Sequence, residues 1–138
     1  MQRVPEIQLL SALNELRDRA IRIERQILAT ALIYERADLL PSDWRPRDAR
    51  HHAIAAAIRS VEQVNLLTVF KELQRTDTLQ LAHGVVYLSE TTTIHPLLPT
   101  LPFVQQAARE VTILWARADA AEQHLIQAEA ALSGGTHG

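Results

Sequence analysis

The stretch that decides the fold is Thr68-Val-Phe-Lys-Glu-Leu-Gln-Arg-Thr-Asp-Thr-Leu-Gln-Leu-Ala-His-Gly-Val-Val-Tyr-Leu88. In its first half the apolar residues Val69, Phe70 and Leu73 have the spacing of one helix face. A polar break follows, and then a second apolar segment that contains Gly84. The pattern predicts two short helical units joined by a turn, the second spanning residues 79–88 and bent at its glycine.

A proline-containing corner precedes this stretch. It reads Leu39-Leu-Pro-Ser-Asp-Trp44, and its proline prevents a helix from continuing through it. A helix containing His51 is predicted after the corner, over residues 47–63. Asn65 is a favoured N-cap for the next helix, residues 66–75. The core expected for these helices consists of Trp44, Ile54, Ile58, Phe70, Leu73, Leu79, Tyr87 and Leu88.

The order of these elements resembles the N-terminal domain of the replicative DNA helicases of the DnaB family. In that family a Leu-x-Pro-x-Asp-Phe corner leads to a His-x-x-Ile helix. An Asp-x-x-Thr-Leu helix start and a Gly-Gly-x-x-Tyr-Leu element follow. The segment from Thr68 to Leu88 aligns to this pattern without a gap, and the resemblance covers roughly residues 21–110. The chain is also similar to the helicase-binding domain of bacterial primases.

The chain departs from the family pattern at four places. Trp44 stands where the family usually has Phe, and about two extra residues separate it from His51. Asn65 replaces the Asp that starts the helix, a mild change because both residues are good N-caps. His83 replaces the first glycine of the pair, which affects any backbone conformation that needs glycine at that position.

Two long helices are predicted, from Pro5 to about Arg36 and from Phe103 to about Ser133. In both, apolar residues recur in alternating steps of three and four, as at the a and d positions of a coiled coil. The candidate oligomer interface consists of Leu9, Leu13, Leu16, Val104, Val111, Leu114, Ala118, Leu125 and Leu132. Soluble chains rarely leave such stripes in water, so we expect a homodimer or a ring-like assembly.

A second interpretation is that the two long helices cover each other within one chain. Their outer faces would still carry Leu10, Ile33, Ile113, Trp115 and Ile126. Some self-association is therefore expected under either interpretation.

The predicted fold is all-α: a compact bundle of short helices with one or two long helices that form an extended arm or hairpin. Residues 1–22 are expected to be an N-terminal helical extension and residues 23–101 a head similar to the helicase domain. Residues 102–133 form the long C-terminal helix, and residues 134–138 a disordered tail. Between head and helix, Thr91 to Pro102 is a linker whose Leu97, Leu98 and Leu101 are expected to cover the core.

Composition favours one globular domain and excludes several classes of protein. A chain of 138 residues with 47% hydrophobic and 22% charged residues can bury a core. It has no cysteine, which excludes disulfides and thiolate metal sites. No apolar run reaches the length of a membrane span, and the N-terminus lacks a signal-peptide pattern. We expect a cytoplasmic protein without membrane contact.

Nucleic-acid binding is expected to be weak. The net charge of −2 lacks the positive excess that phosphate contacts need. The one basic cluster is Arg45, Arg47, Arg50 and Arg59 beside Trp44, which could form a single-strand stacking site. The favoured interpretation is that Trp44 anchors the core with solvated arginines around it.

The sequence contains no catalytic constellation, so we expect no enzyme activity and no cofactor. A phosphate-binding Gly-x-x-x-x-Gly-Lys loop is absent. Asp48, His51 and His52 share a helix face but have no fourth ligand, which argues against a metal site. His51 is expected to be partly buried and bonded to a backbone group, and Glu24 is expected to be solvated.

Together with the resemblance, these features predict a non-enzymatic module for protein–protein interaction and oligomerisation in DNA replication. In the family, the domain forms the collar of the hexameric helicase ring and communicates with primase or loader. The expected partners are therefore a second copy of the chain and a replicative helicase, primase or loader protein. The alternatives are a single-strand DNA-binding accessory protein, a fragment of a complete helicase, or a helical adaptor.

Overall fold

The computed structural model describes the backbone of residues 3–135 and the side chains of residues 6–133. This part of the chain is entirely helical apart from turns and connections, which confirms the predicted all-α class. The five α-helices are α1 (Arg3–Ile33), α2 (Ala49–Ser60), α3 (Leu66–Arg75), α4 (Gly84–Thr91) and α5 (Leu101–Gly135). A single turn of 3₁₀-helix, Ala37–Leu39, follows α1.

The chain divides into two compact units, and both long helices contribute to each. Residues 21–109 form one unit, called here the head unit. Residues 3–20 and 110–135 belong to the other, called here the terminal unit. The predicted boundary at residue 22 lies two residues from the observed one. The second predicted boundary, at residue 101, coincides with the start of α5. The head unit nevertheless extends to residue 109, so it includes the first residues of that helix.

The α2 helix is shorter than the predicted span of residues 47–63. Asp48 is its N-cap, and the side chain accepts a hydrogen bond from the backbone N–H of Arg50 at 2.9 Å. At the other end Val61 has extended backbone angles, so the helix stops at Ser60. The α3 helix has the predicted bounds, and Asn65 and Thr68 form a reciprocal capping box at its start.

The predicted helical unit at residues 79–88 is wrong in its first half. Residues 79–83 form turns, closed by a hydrogen bond from the Gly84 N–H to the Leu79 carbonyl at 2.9 Å. The α4 helix begins only at Gly84, whose φ of 78° is left-handed, and the preceding His83 is left-handed too, at 59°. A histidine in that conformation costs roughly 1–2 kcal/mol that a glycine would not.

The connection before α5 is tied to α1 by polar contacts. The Leu97 N–H donates to the Thr30 hydroxyl at 2.9 Å, and the Gln26 amide donates to the His95 carbonyl at 3.0 Å. Leu97 is half-buried, but Leu98 and Leu101 are exposed. The prediction that these leucines cover the core is therefore wrong for Leu98 and Leu101, whereas hydrogen bonds to α1 hold the segment in place.

The head core is built mainly from α1, α2 and the short helices that follow. Among its predicted members, Phe70, Leu79 and Tyr87 are only half-buried. The others are buried in the structure: Trp44, Ile54, Ile58, Leu73 and Leu88. The middle of α1 adds a continuous buried segment around Ile27 and Leu28 that the predicted core does not include.

Five residues of the predicted oligomer interface lie within the chain's own core. Each of these five side chains is at most 3% exposed: Leu13, Val104, Val111, Leu114 and Ala118. Leu9, Leu16 and Leu125 are half-buried, and Leu132 is 38% exposed. Packing within a single chain therefore already buries most of the predicted interface residues wholly or partly.

The terminal unit still presents apolar side chains to solvent on its outer faces. Leu10, Ile113 and Ile126 are each about half exposed, whereas Trp115 is half-buried. Within this unit Arg17 and Glu122 form an ion pair at 3.1 Å, with both side chains a little under half exposed. Of the predicted disordered tail, Gly134 and Gly135 continue α5, and residues 136–138 lie outside the described part.

Candidate interaction site: a polar network, a corner and a groove

A buried polar network joins three distant segments of the head unit. His51 on α2 is fully buried and lies 2.8 Å from a carboxyl oxygen of Glu24 on α1 through its Nδ1. Its Nε2 lies 2.6 Å from the hydroxyl of Tyr87 on α4. Both ring nitrogens are thus occupied, and the network links three helices through a single imidazole.

Glu24 makes hydrogen bonds to backbone groups as well as to the imidazole of His51. Its carboxyl oxygens accept from the backbone N–H groups of Arg47 at 2.8 Å and Asp48 at 3.3 Å, just before α2 begins. Because both oxygens accept, the Nδ1 of His51 donates to Glu24, and in the neutral ring Nε2 accepts from the Tyr87 hydroxyl. Glu24 thereby fixes the start of α2 and the orientation of the His51 ring.

Two arginines surround the Tyr87 ring. The guanidinium carbon of Arg25 lies 3.8 Å from the ring centroid and that of Arg50 lies 4.6 Å from it. Arg25 also donates to the Tyr87 carbonyl at 3.0 Å and to the Thr91 hydroxyl at 2.9 Å. Burial raises the pKa of the Tyr87 hydroxyl, and the nearby guanidinium charges oppose that rise without cancelling it.

Asp48 connects the network to the surface. Its carboxylate accepts two hydrogen bonds from the Arg50 guanidinium, at 2.9 and 3.0 Å. Burial raises the pKa of Asp48, but the hydrogen bonds from Arg50 and the nearby positive charge together outweigh that effect, so the pKa lies below its usual value. Asp48 is therefore committed to capping α2 and pairing with Arg50, which explains its position better than metal ligation does.

The corner before α2 is held by a buried tryptophan and an arginine. Trp44 is 6% exposed, and the Arg59 guanidinium donates to its carbonyl at 2.8 Å and to the Pro41 carbonyl at 2.9 Å. Arg45 donates to the carbonyls of Ser42 and Trp44, both at 2.8 Å. Because base stacking needs an exposed ring face, this geometry does not favour the predicted stacking site.

An open groove runs along the α2 and α3 side of the head unit. Its volume is about 460 Å³. The α2 side is lined by small residues, among them Ala49, Ala53, Ala56 and Ala57, and Leu81 lines it from the turn after α3. Arg47 and Glu72 lie at its polar edges. The small side chains leave room for another backbone to approach α2 closely.

Sequence reasoning placed His51 near the corner but missed its partners. It expected a half-buried histidine bonded to a backbone group, whereas His51 is fully buried between Glu24 and Tyr87. The expectation that Glu24 is solvated is wrong, since its exposed fraction is zero. The one available signal was position: Glu24 lies on the same α1 face as the buried Ile27 and Leu28, one turn earlier.

Neither metal-ion binding nor membrane insertion is indicated within the described residues. No group of three or more His, Cys, Asp or Glu side chains there is arranged to hold a metal ion. Between residues 3 and 135, none of the helices combines the length and the apolar character needed to cross a membrane.

Comparisons with known proteins add no relative to this description. No family model, no curated protein and no solved structure matches the chain.

Proposed function

We propose that this chain is a non-enzymatic protein-interaction module of the DNA replication machinery, which binds a partner in the groove between α2 and α3. The observation that carries the proposal is that groove, an open apolar surface on an otherwise well-packed head unit. Soluble domains keep exposed apolar surfaces mainly where something binds. The link to replication rests on the resemblance of residues 21–110 to the collar domain of DnaB-type helicases.

The polar network supports a structural role rather than catalysis. Glu24, His51 and Tyr87 bond mainly to one another and to backbone groups. The imidazole has no exposed surface, so a substrate could not reach it without displacing a core residue. We therefore propose a module without enzymatic activity or cofactor, which works in the cytoplasm.

Self-association is the second part of the proposal. The buried interface residues are not available for it, but the outer faces of the terminal unit carry Ile113 and Ile126, each about half exposed. Such exposed apolar residues on long helices support contact with a second copy, in a dimer or in a ring-like assembly as the family's collar suggests. The most suitable partners outside the chain are replicative helicase, primase and loader.

The test is direct binding of the whole chain to three purified partners from the same cell: the replicative helicase, the primase and the helicase loader. We expect at least one of them to bind at micromolar concentration in biolayer interferometry. Ala56→Arg, which places a bulky charge in the groove, should abolish that binding. Gln74→Arg adds the same charge to an exposed α3 position that does not line the groove, and should leave binding intact.

Failure of all three partners to bind would contradict the link to replication. Equal binding by wild type and Ala56→Arg would contradict the groove as the site. Circular dichroism of both variants checks that the helices remain folded.

A further inference from the structure

A second, smaller pocket adjoins the groove, between the corner and α2. It has a volume of about 170 Å³ and is lined by Arg45, Pro46, His52, Ala55, Ala56 and Arg59. His52 and Ala56 line the groove as well, so the two cavities are neighbours on the surface of one helix. A ligand lying in the groove could therefore extend one end into the smaller pocket.

The smaller pocket carries concentrated positive charge. Two guanidiniums, those of Arg45 and Arg59, line it together with the imidazole of His52, and none of the described residues that line it is acidic. The hydrogen bonds of both guanidiniums go to the neutral carbonyls of the corner. Burial and the charge of Arg45 lower the pKa of Arg59, as expected for cations that repel each other without a neutralising anion.

The groove itself is suited to an apolar helix. Its floor is the alanine face of α2, which permits close approach of a backbone, and Leu81, 56% exposed, stands at its side. Ser60 and Thr76 provide hydroxyl groups at its edges. An amphipathic helix that places apolar side chains in such a groove is a recurrent mode of peptide recognition.

We propose that the groove and the smaller pocket together bind an acidic amphipathic helix of a partner protein, with an Asp or Glu carboxylate of that helix held by Arg45, His52 and Arg59. Arginine guanidiniums bind carboxylates through paired hydrogen bonds, which gives the complex its register as well as affinity. The inference rests on the proposed function and makes it more specific, since it states the chemistry that the partner must carry.

The composition of the groove favours a protein ligand over a nucleic acid. Base recognition in single strands uses exposed aromatic rings, but no Phe, Tyr or Trp is among the described residues that line the groove, and Trp44 of the corner is buried. The positive charge is concentrated around the smaller pocket, and the groove itself is lined by one acidic residue, Glu72, as well as by Arg47. A phosphate backbone would need positive charge over its whole length.

The experiment starts with a display library of random 16-residue helical peptides, selected on the whole chain and counter-selected on Ala56→Arg. The selected peptides are expected to share apolar residues at helical spacing and an Asp or Glu near one end. Selection of peptides without an acidic residue, or of none that distinguishes wild type from Ala56→Arg, would overturn the proposal.

Affinities of one selected peptide then test the pocket. Arg45→Gln is the main variant, because Arg45 is exposed and its removal leaves the Arg59 bonds of the corner in place. We expect Arg45→Gln to weaken binding about tenfold in fluorescence anisotropy, and the peptide's own Glu→Gln change to weaken it by a similar factor. Combining the two changes should add little to either one, because both remove the same contact.

Three results would overturn the proposal. The first is an unchanged affinity in Arg45→Gln. The second is tight binding of a fifteen-residue oligothymidylate that Arg45→Gln abolishes, which would assign the pocket to phosphate. The third is a wild-type dimer in light scattering that Ala56→Arg dissociates, which would show that a second copy occupies the groove.

The peptide experiment distinguishes failure of this inference from failure of the proposed function. If a replication partner binds in the groove but carries no acidic helix, the proposed function stands and this inference falls. If acidic peptides bind but none of the three replication proteins does, the inference stands and the link to replication falls.

Discussion

The head unit and the terminal unit are stabilised by different kinds of contact. The terminal unit buries apolar residues at regular helical spacing, such as Leu13, Val111 and Leu114, and its Arg17–Glu122 ion pair is partly exposed to solvent. The head unit has an apolar core too, but it also buries Glu24 and His51 completely. Regular apolar spacing can be satisfied in several registers, whereas a buried polar network has one geometry in which all its groups are bonded.

This difference suggests a division of roles between the units. A seam of Leu and Ala side chains tolerates small shifts along a helix, so it supplies stability without fixing atomic positions closely. The network fixes the start of α2, since Glu24 holds the backbone there. The groove and the smaller pocket are both lined by α2. The candidate site therefore lies on the helix whose start the polar network holds in place.

The largest effect is expected in the terminal unit, from Leu114→Glu. Leu114 is 3% exposed, so this change removes a buried leucine and places a charge in its site. We expect a loss of about 4 kcal/mol or more in the free energy of unfolding, measured by urea denaturation. Ile113→Glu is the matched control, because Ile113, the residue before Leu114, is itself 55% exposed and its replacement should change stability very little.

Equal effects of the two changes would contradict the assignment of Leu114 to the chain's own core. Ile113→Glu also serves as the test of self-association through the outer face. A wild type that is dimeric in light scattering and an Ile113→Glu variant that is monomeric would support it.

A smaller effect is expected in the head unit from Glu24→Gln. The shape is nearly kept, but the amide nitrogen cannot accept, so one of the three donors that face it loses its partner. An unsatisfied buried donor costs about 1–3 kcal/mol, which thermal and urea unfolding can measure. The same change at Glu122, a partner in the exposed ion pair, should cost under about 0.5 kcal/mol.

If Glu24→Gln lowered the free energy of unfolding no more than Glu122→Gln does, the proposed difference between the two units would be contradicted. The buried carboxyl would then contribute no more to stability than the partly exposed one.

The smallest effect concerns Tyr87→Phe and depends on pH. Loss of the hydroxyl removes the bond to His51 and should cost about 1 kcal/mol near neutral pH. Because burial raises the pKa of Tyr87 in the folded state, the hydroxyl's contribution is complete below the unfolded value of about 10. It is lost as the pH rises above that value. The stability difference between wild type and Tyr87→Phe should therefore shrink in alkaline solution.

Unfolding curves from pH 7 upward provide the measurement. A difference that stays constant above pH 10, or one that grows, would contradict a raised pKa for Tyr87 in the folded state.

Sequence reasoning recovered what is local and periodic. Both long helices, the α3 bounds and the Asn65 cap follow from spacing and capping chemistry over a few residues. It could not recover which surface covers the Leu114 seam, because periodicity identifies an apolar face but not its partner. The network was out of reach for a similar reason. Its members lie 27 and 36 residues apart in the chain, and only the packed helices bring them together.

The short α4 helix determines which part of the head unit is expected to unfold locally first. It has eight residues and no side-chain N-cap bond, far short of the length at which isolated helices persist in water. Its persistence depends on buried Leu88, on the bonds from Arg25 and on the Tyr87–His51 bond. Breaking those contacts should release α4 as one unit. Its amides are therefore expected to exchange with solvent together, by a local opening well below global unfolding, and ahead of the amides of α2.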